Sequence, residues 1–150
     1  MTHPQHAYKR PESVLVVVYT HDGLVLLLRR AKPRDFWQSV TGSLRWPSET
    51  PREAAERELA EETGIRRVED LRDWRRSFRF EIWPQWSTRF APGVRENLEH
   101  MFSLELPAVT EVAVNPREHT AYQWVDFDVA ARRVWSWTNR EAIQIGRAHV

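Results

Sequence analysis

The sequence contains no cysteine, so this chain has neither a disulfide nor a thiolate metal site, and a reducing cytoplasm suits it. Long hydrophobic runs are also missing. The first apolar stretch, Ser13 to Tyr19, falls far short of the ~20 residues a membrane-spanning helix needs, so neither a span nor a signal peptide is expected. Nor is there an excess of one charge: 22 Lys and Arg stand against 21 Asp and Glu. No global field then draws the protein to nucleic acid or to an anionic membrane, and any anion site must be local. The six histidines, His3, His6, His21, His100, His119 and His149, show no ligand spacing and read as scattered loop or surface residues, with His119 set apart only by following Glu118. No repeat or low-complexity linker divides the 150 residues, which are enough for one sizeable core.

What is present begins with strands. Ser13 to Tyr19 is rich in β-branched residues and passes through His21-Asp22-Gly23 into Leu24 to Arg29, the pattern of a hairpin in a buried sheet. Phe36 to Leu44, Leu71 to Phe80, Asn97 to Leu106 and Tyr122 to Val125 are further strand candidates, with Trp83-Pro84 and Ala91-Pro92-Gly93 irregular between them. Two helical patterns close the chain, Phe127 to Val134 and one from about Asn139 onward, split by Trp135 to Thr138. Strands mixed with a few helices predict an α/β or α+β fold built on a mixed sheet.

The best-specified element is a helix of about thirteen residues from Pro51 to Thr63. Thr50 is its N-cap, Pro51 sits where a missing N–H costs nothing, Glu53 completes a capping box, and Gly64 closes it. Within it Glu58, Glu61 and Glu62 stand at i, i+3 and i+4, so their carboxylates share one face. Only Arg57, placed to reach Glu61, offsets their repulsion locally. Such a face is either solvated or a site for a hard cation such as Mg²⁺, which binds oxygen ligands and shares its remaining positions with water and phosphate.

Glu49, seven residues, and then Arg57-Glu58-Leu59-Ala60-Glu61-Glu62-Thr63-Gly64-Ile65 resemble the Nudix box, a loop–helix–loop that binds a metal diphosphate. Six such fixed positions arise by chance on the order of once in 10⁵ sequences of this length. The chain departs from the box in its loop: Ser43, preceded by Gly42, stands where Gly is usual, and Ser48 where a second Gly is usual. A positive φ at Ser48 would cost about 1 kcal/mol or more. Beyond the box, Tyr8 to Pro11, Asp35 to Ser43, Phe90 to Val94, Glu118-His119, and Ser136-Trp137 with Asn139-Arg140 resemble the dihydroneopterin triphosphate diphosphatase branch of that family, whose members act in folate synthesis.

The resemblance implies a mixed sheet sandwiched between helices, Mg²⁺ with Mn²⁺ as a substitute, and release of pyrophosphate from a small-molecule triphosphate of the pterin type, the alternatives being a (deoxy)nucleoside triphosphate pyrophosphatase and a catalytically silent ligand-binding module. It implies Glu58 and Glu62 as metal ligands, Glu61 as a nearby catalytic carboxylate, and Glu118 as a distant ligand or base. Gly42, Glu49, Arg57 and Gly64 are expected to hold the box in shape. Lys9, Arg10, Arg29 and Arg30 either bind phosphate or are ordinary surface charges. Trp37, Trp135 and Trp137 either stack on a flat ring or pack the core. Asn139 either reads a ring edge or caps the last helix. The single domain is expected to span residues 1–144. The last six residues, Ile145 to Val150, equal the translation of a common sequencing-adapter read and are expected to be a non-native tail. Oligomeric state is left open.

Overall fold

The computed structural model describes residues 7–149; His3, His6 and Val150 lie outside them. Nine residues of β1 (Glu12–Thr20) form the centre of a mixed sheet. Val14 to Val18 are at most 2% exposed, because a central strand covered on both faces reads as a continuous apolar run rather than an alternation. On one side β1 runs parallel to β6 (Glu96–Leu106), which in turn pairs antiparallel with β5 (Leu71–Glu81).

On its other side β1 changes partner. It turns through Gly23, at φ 86°, into β2 (Leu24–Arg30). The expected hairpin closes at Tyr19 and Val25 and then opens. Residues 37–43 fill the gap: β3 (Trp37–Gln38) pairs with β2, and β4 (Val40–Ser43) pairs with β1 from Val16–Val40 to Ser13–Ser43. The outer edge of β2 is covered by β7 (His119–Asp126), which starts three residues earlier than the sequence pattern indicates, with a register shift between Arg29 and Arg30. The sheet therefore splits into two wings, and the split is where the site forms.

Helices cover both faces. Helix α1 (Pro51–Thr63) has the expected bounds and the expected capping box, with Gly64 left-handed at φ 79°. Its Ala54, Ala55 and Leu59 pack on Val14, Val16, Leu26 and Phe102. On the opposite face α2 (Phe127–Arg133) and α3 (Trp137–Ala148) bury Phe127, Ala142 and Ile143 against Leu15, Val17, Leu27 and Met101. Ser136 caps α3 by accepting from the Asn139 N–H, so Trp137 and Thr138 belong to the helix rather than to the break before it. Asn139 is not the cap. Its side chain is 1% exposed and docks α3 on the sheet, Oδ1 accepting from the Ser39 N–H at 2.8 Å and Nδ2 donating to Ser39 Oγ at 2.9 Å. Ile145 to Ala148 continue α3, and Ile145 packs partly against the same core. Among the described residues no helix is long and apolar enough to cross a membrane.

Asn139→Ala strands the buried Ser39 N–H and removes the second bond as well. Urea denaturation is expected to show a loss of about 1–3 kcal/mol, and an unchanged midpoint would rule out this docking role.

Candidate active site

The acidic face of α1 meets the split sheet at β4. Gly42 lies against Glu58: a Cβ built on Gly42 would stand 2.2 Å from the Glu58 Cδ and Oε1. The glycine is required for close approach rather than for its backbone angles. Neither Ser43 nor Ser48 has positive φ, the only described non-glycine residues that do being Asp35 and Arg75. The loop therefore carries none of the strain that serine at these positions could bring.

Arg57 fastens this region. Its Nε and Nη2 donate to the two Glu49 oxygens at 2.7 and 2.8 Å, Nη2 also reaches the Ser43 carbonyl at 3.0 Å, and Nη1 meets Glu58 at 2.6 Å and Glu61 at 3.2 Å. That hydrogen bonding pulls the Glu49 pKa below its ordinary value. Arg10 clamps the same loop from outside through the Arg45 and Glu49 carbonyls, which commits it to structure rather than to phosphate.

Glu62 is different from its neighbours. It is 1% exposed, and neither of its oxygens has a hydrogen-bond partner. The nearest basic group, His119 Nε2, is 3.7 Å away. Burial, and the proton-linked contact with the Glu58 carboxylate, push the Glu62 pKa well up, while burial and then Arg30 lower that of His119 to about 4. His119 is thus neutral at neutral pH and gives Glu62 no counter-charge. A buried carboxylate with no donor is costly unless something cationic arrives, so the donor set fits a hard cation. Among the described residues no three acidic or histidine side chains already converge to hold one. Glu58 and Glu62 would hold the ion, with water and substrate oxygens completing its shell. Glu118, exposed in the loop before β7, has its pKa raised by partial burial and then by the charges of Glu58 and Glu61, which brings that loop to the box.

Beside these carboxylates opens a cavity of about 340 Å³. Lys9, Arg30 and Arg89 line it; burial and then the charge of Arg89 lower the pKa of Lys9 and of Arg30. Above them stands an aromatic wall: Trp83 and Trp86 stack 5.2 Å apart at 7°, and Trp135 meets both edge-on at 4.9 and 5.2 Å. Trp137, half exposed, lines the cavity and touches Phe78 edge-on. Gln38 joins wall to box, accepting from Trp135 Nε1 at 3.0 Å and from Arg30 at 3.3 Å while its amide nitrogen faces His119 at 3.5 Å.

Two expected substrate residues are elsewhere. Trp37 alternates with Gln38 and so faces the other way, packing by Arg133 against the α2–α3 core. Arg29 is the direct cross-strand partner of Trp37 and pairs with Asp35 at 3.3 Å. Neither lines the cavity; Gln38 and Arg30, one residue on, do. Lys9, Trp137 and Asn139 do line it. Sequence reasoning missed Arg89, Trp83, Trp86 and a buried carboxylate on the cavity floor, Glu99.

A helix that presents clustered carboxylates, one of them buried without a partner, next to a cationic, aromatic cavity is built to place a cation against the phosphates of a ring-bearing ligand, which is the work of a phosphoanhydride hydrolase. Residues 9–144 match the NUDIX domain, and the chain belongs to the Nudix family. It is 45% identical over 141 residues to the dihydroneopterin triphosphate diphosphatase of Escherichia coli, covering 91% of this chain and 92% of that one. It is 40% identical to the enzyme of the same name from Haemophilus influenzae, over 91% and 87% of the two chains. The solved structure of the E. coli dihydroneopterin triphosphate pyrophosphohydrolase superposes with a TM-score of 0.88 at 43% identity, covering 96% of this chain and 99% of that one.

Gly42→Ala forces the Glu58 carboxylate aside. Because that carboxylate is the end of a flexible side chain, melting is expected to change by only about 1 kcal/mol, while Mg²⁺-dependent turnover falls at least ~10-fold. A variant with full turnover would show that Glu58 need not lie against Gly42.

Proposed function

We propose that this chain hydrolyses dihydroneopterin triphosphate to dihydroneopterin monophosphate and pyrophosphate, a step toward folate, with Mg²⁺ as its cation and Mn²⁺ able to substitute. The observation that carries the reading is the adjacency of the unpartnered Glu62 carboxylate and an aromatic-walled cavity with a cationic rim. The names and near full-length coverage of the relatives support it. A small-molecule substrate in the cytoplasm, with no nucleic-acid or membrane partner, goes with this reading, as does residues 1–144 being the functional domain and 145–150 a foreign tail.

A cation held here would supply charge neutralisation along the phosphate chain and a more acidic water for in-line attack on phosphorus. Within the chain, Lys9, Arg30 and Arg89 bind and orient the phosphates. Glu58 and Glu62 would hold the cation, and Arg57 keeps Glu58 and Glu61 from swinging away. Glu61, tethered by Arg45 and Arg57, and Glu118 are the carboxylates placed to hold or accept a proton at the edge of the box. Trp137 and the tryptophan wall confine the ring, and Asn139 holds α3 in the position that shapes the cavity.

Glu62→Gln preserves size and removes a buried charge. Its folded pKa is raised, so ionised Glu62 opposes folding at neutral pH. The variant is therefore expected to melt at or above the wild-type temperature in EDTA, to lose the upward shift that Mg²⁺ gives wild type, and to lose turnover by orders of magnitude. Glu118→Gln is impaired less. Near-normal activity of Glu62→Gln in Mg²⁺ would remove the ligand assignment.

Substrate choice is tested by a side-by-side panel. The carboxylates act on any triphosphate, so selectivity comes from the ring cavity. Dihydroneopterin triphosphate is expected to exceed every dNTP in kcat/KM by at least ~10-fold, about 1.4 kcal/mol of transition-state binding, and Trp137→Ala narrows that gap. A dNTP that proves the better substrate leaves the family standing and overturns the pterin reading.

A further inference from the structure

The floor of the cavity is polar, and its members are satisfied by one another with one exception. Asn97 donates to Ser13 Oγ at 2.8 Å, Thr41 donates to the Val14 carbonyl at 2.9 Å, and Asn139 is committed to Ser39. Glu99, two residues beyond Asn97 on β6 and facing the α3 side with it, is 5% exposed. Its Oε1 is buried and has no hydrogen-bond partner. Burial pushes its pKa up to about 7, against the pull of the Thr138 and Thr41 hydroxyls. Buried acceptors are nearly always paired, and a carboxylate left like this costs more than a neutral group would. Nothing in the cation-binding box uses it.

We propose that Glu99 reads the substrate's ring, its carboxylate accepting from two adjacent N–H groups on the edge of a flat heterocycle. This rests on the reading that the cavity receives the ring of a triphosphate. The aromatic wall supplies stacking to any flat ring, so it does not choose among them. A carboxylate offers acceptors only. It gains two bonds from an edge where a ring amide N–H adjoins an amino group, as in pterins and guanine. Adenine and cytosine place a ring acceptor beside their amino group, and hypoxanthine has the ring N–H without the amino group. The N–H pair would also stabilise the ionised carboxylate. Glu99 is thus a specificity residue for 2-amino-4-oxo rings, acting on the ring and leaving the cation-dependent step alone.

The test compares dGTP with dITP, which differ only in that amino group, on wild type and on Glu99→Gln. Glutamine keeps the shape but offers one acceptor and one donor. Wild type is expected to prefer dGTP over dITP in kcat/KM by at least ~10-fold, in the range of a charge-assisted hydrogen bond. In Glu99→Gln the preference falls to within about twofold, dihydroneopterin triphosphate loses at least ~10-fold, and dATP and dCTP change by less than about threefold. Equal use of dGTP and dITP by wild type overturns the proposal without any variant, and so does a preference that survives Glu99→Gln. A parallel loss on all substrates also overturns it, since that is what a mere anchor for α3 through Thr138 would give. If dATP outruns the pterin on wild type, the pterin reading fails, yet the dGTP to dITP ratio still decides the role of Glu99.

Discussion

The Arg57 guanidinium holds the box together, because the loop, the strand end and the helix all terminate on it. Its bidentate pair with Glu49, 15% and 14% exposed as side chains, is shielded enough to count for more than a surface ion pair. The same group reaches the Ser43 carbonyl at the end of β4 and the Glu58 and Glu61 carboxylates on α1. One cation of the protein thereby balances two of the three helix carboxylates. The third, Glu62, is out of its reach, and burial keeps its pKa well up. The division follows from helix geometry: Glu61 is i+4 from Arg57 and shares its stripe, whereas Glu62 is turned a further 100° or so toward the sheet.

The second constraint is that β3 and β4 bridge two strands that have parted. Because the run crosses from β2 to β1, successive residues serve different sides of the sheet. Gly42 makes room for Glu58 on the α1 side, while Thr41 looks to the cavity floor with Glu99. Gln38 sits at the crossing and contacts both Trp135 and His119. Under the proposed function, a ring on one side of this short strand and a cation on the other would belong to a single ligand whose phosphates pass the split, along Lys9 and Arg30.

What could be read in the sequence was what depends on near neighbours. Thr50, Pro51, Glu53 and Gly64 specify α1 within its own length, and its bounds came out unchanged. The faces of the short strands could not be read in the same way. Whether Trp37 or Gln38 enters the cavity, and whether Arg29 or Arg30 does, depends on the register of a two-residue strand and on an irregularity beside it; a shift of one residue exchanges the faces. Trp83 and Trp86 lay in a stretch that reads as irregular. Only a 3₁₀ turn over Pro84–Arg89 brings residues three apart into line and stacks them. Glu99 was overlooked because a single Glu in a strand reads as a solvent-facing position. A signal was there: Asn97, Glu99, Met101 and Ser103 alternate onto one face of β6, and parallel pairing with the largely buried β1 puts that face inside.

The buried atoms that lack partners sharpen this picture. Among the described residues, apart from Arg29 Nε, they are Glu62 Oε1 and Oε2, Glu99 Oε1 and His119 Nδ1. Each such group costs about 1–3 kcal/mol, more when charged, against a total stability of about 5–15 kcal/mol for a domain of this kind. A central sheet sealed on both faces is what lets the fold carry them. Their chemistry is one-sided, because the two carboxylates only accept. At the α1 end an acceptor without a donor calls for a metal cation, since the neighbouring His119 is neutral. At the β6 end the acceptor lies under an aromatic wall with room for a flat ring, and N–H donors on that ring are the natural answer to it. Filling either acceptor internally, with an Arg or a Lys from the surrounding strands, would stabilise the empty protein and close the place where that part of the ligand belongs.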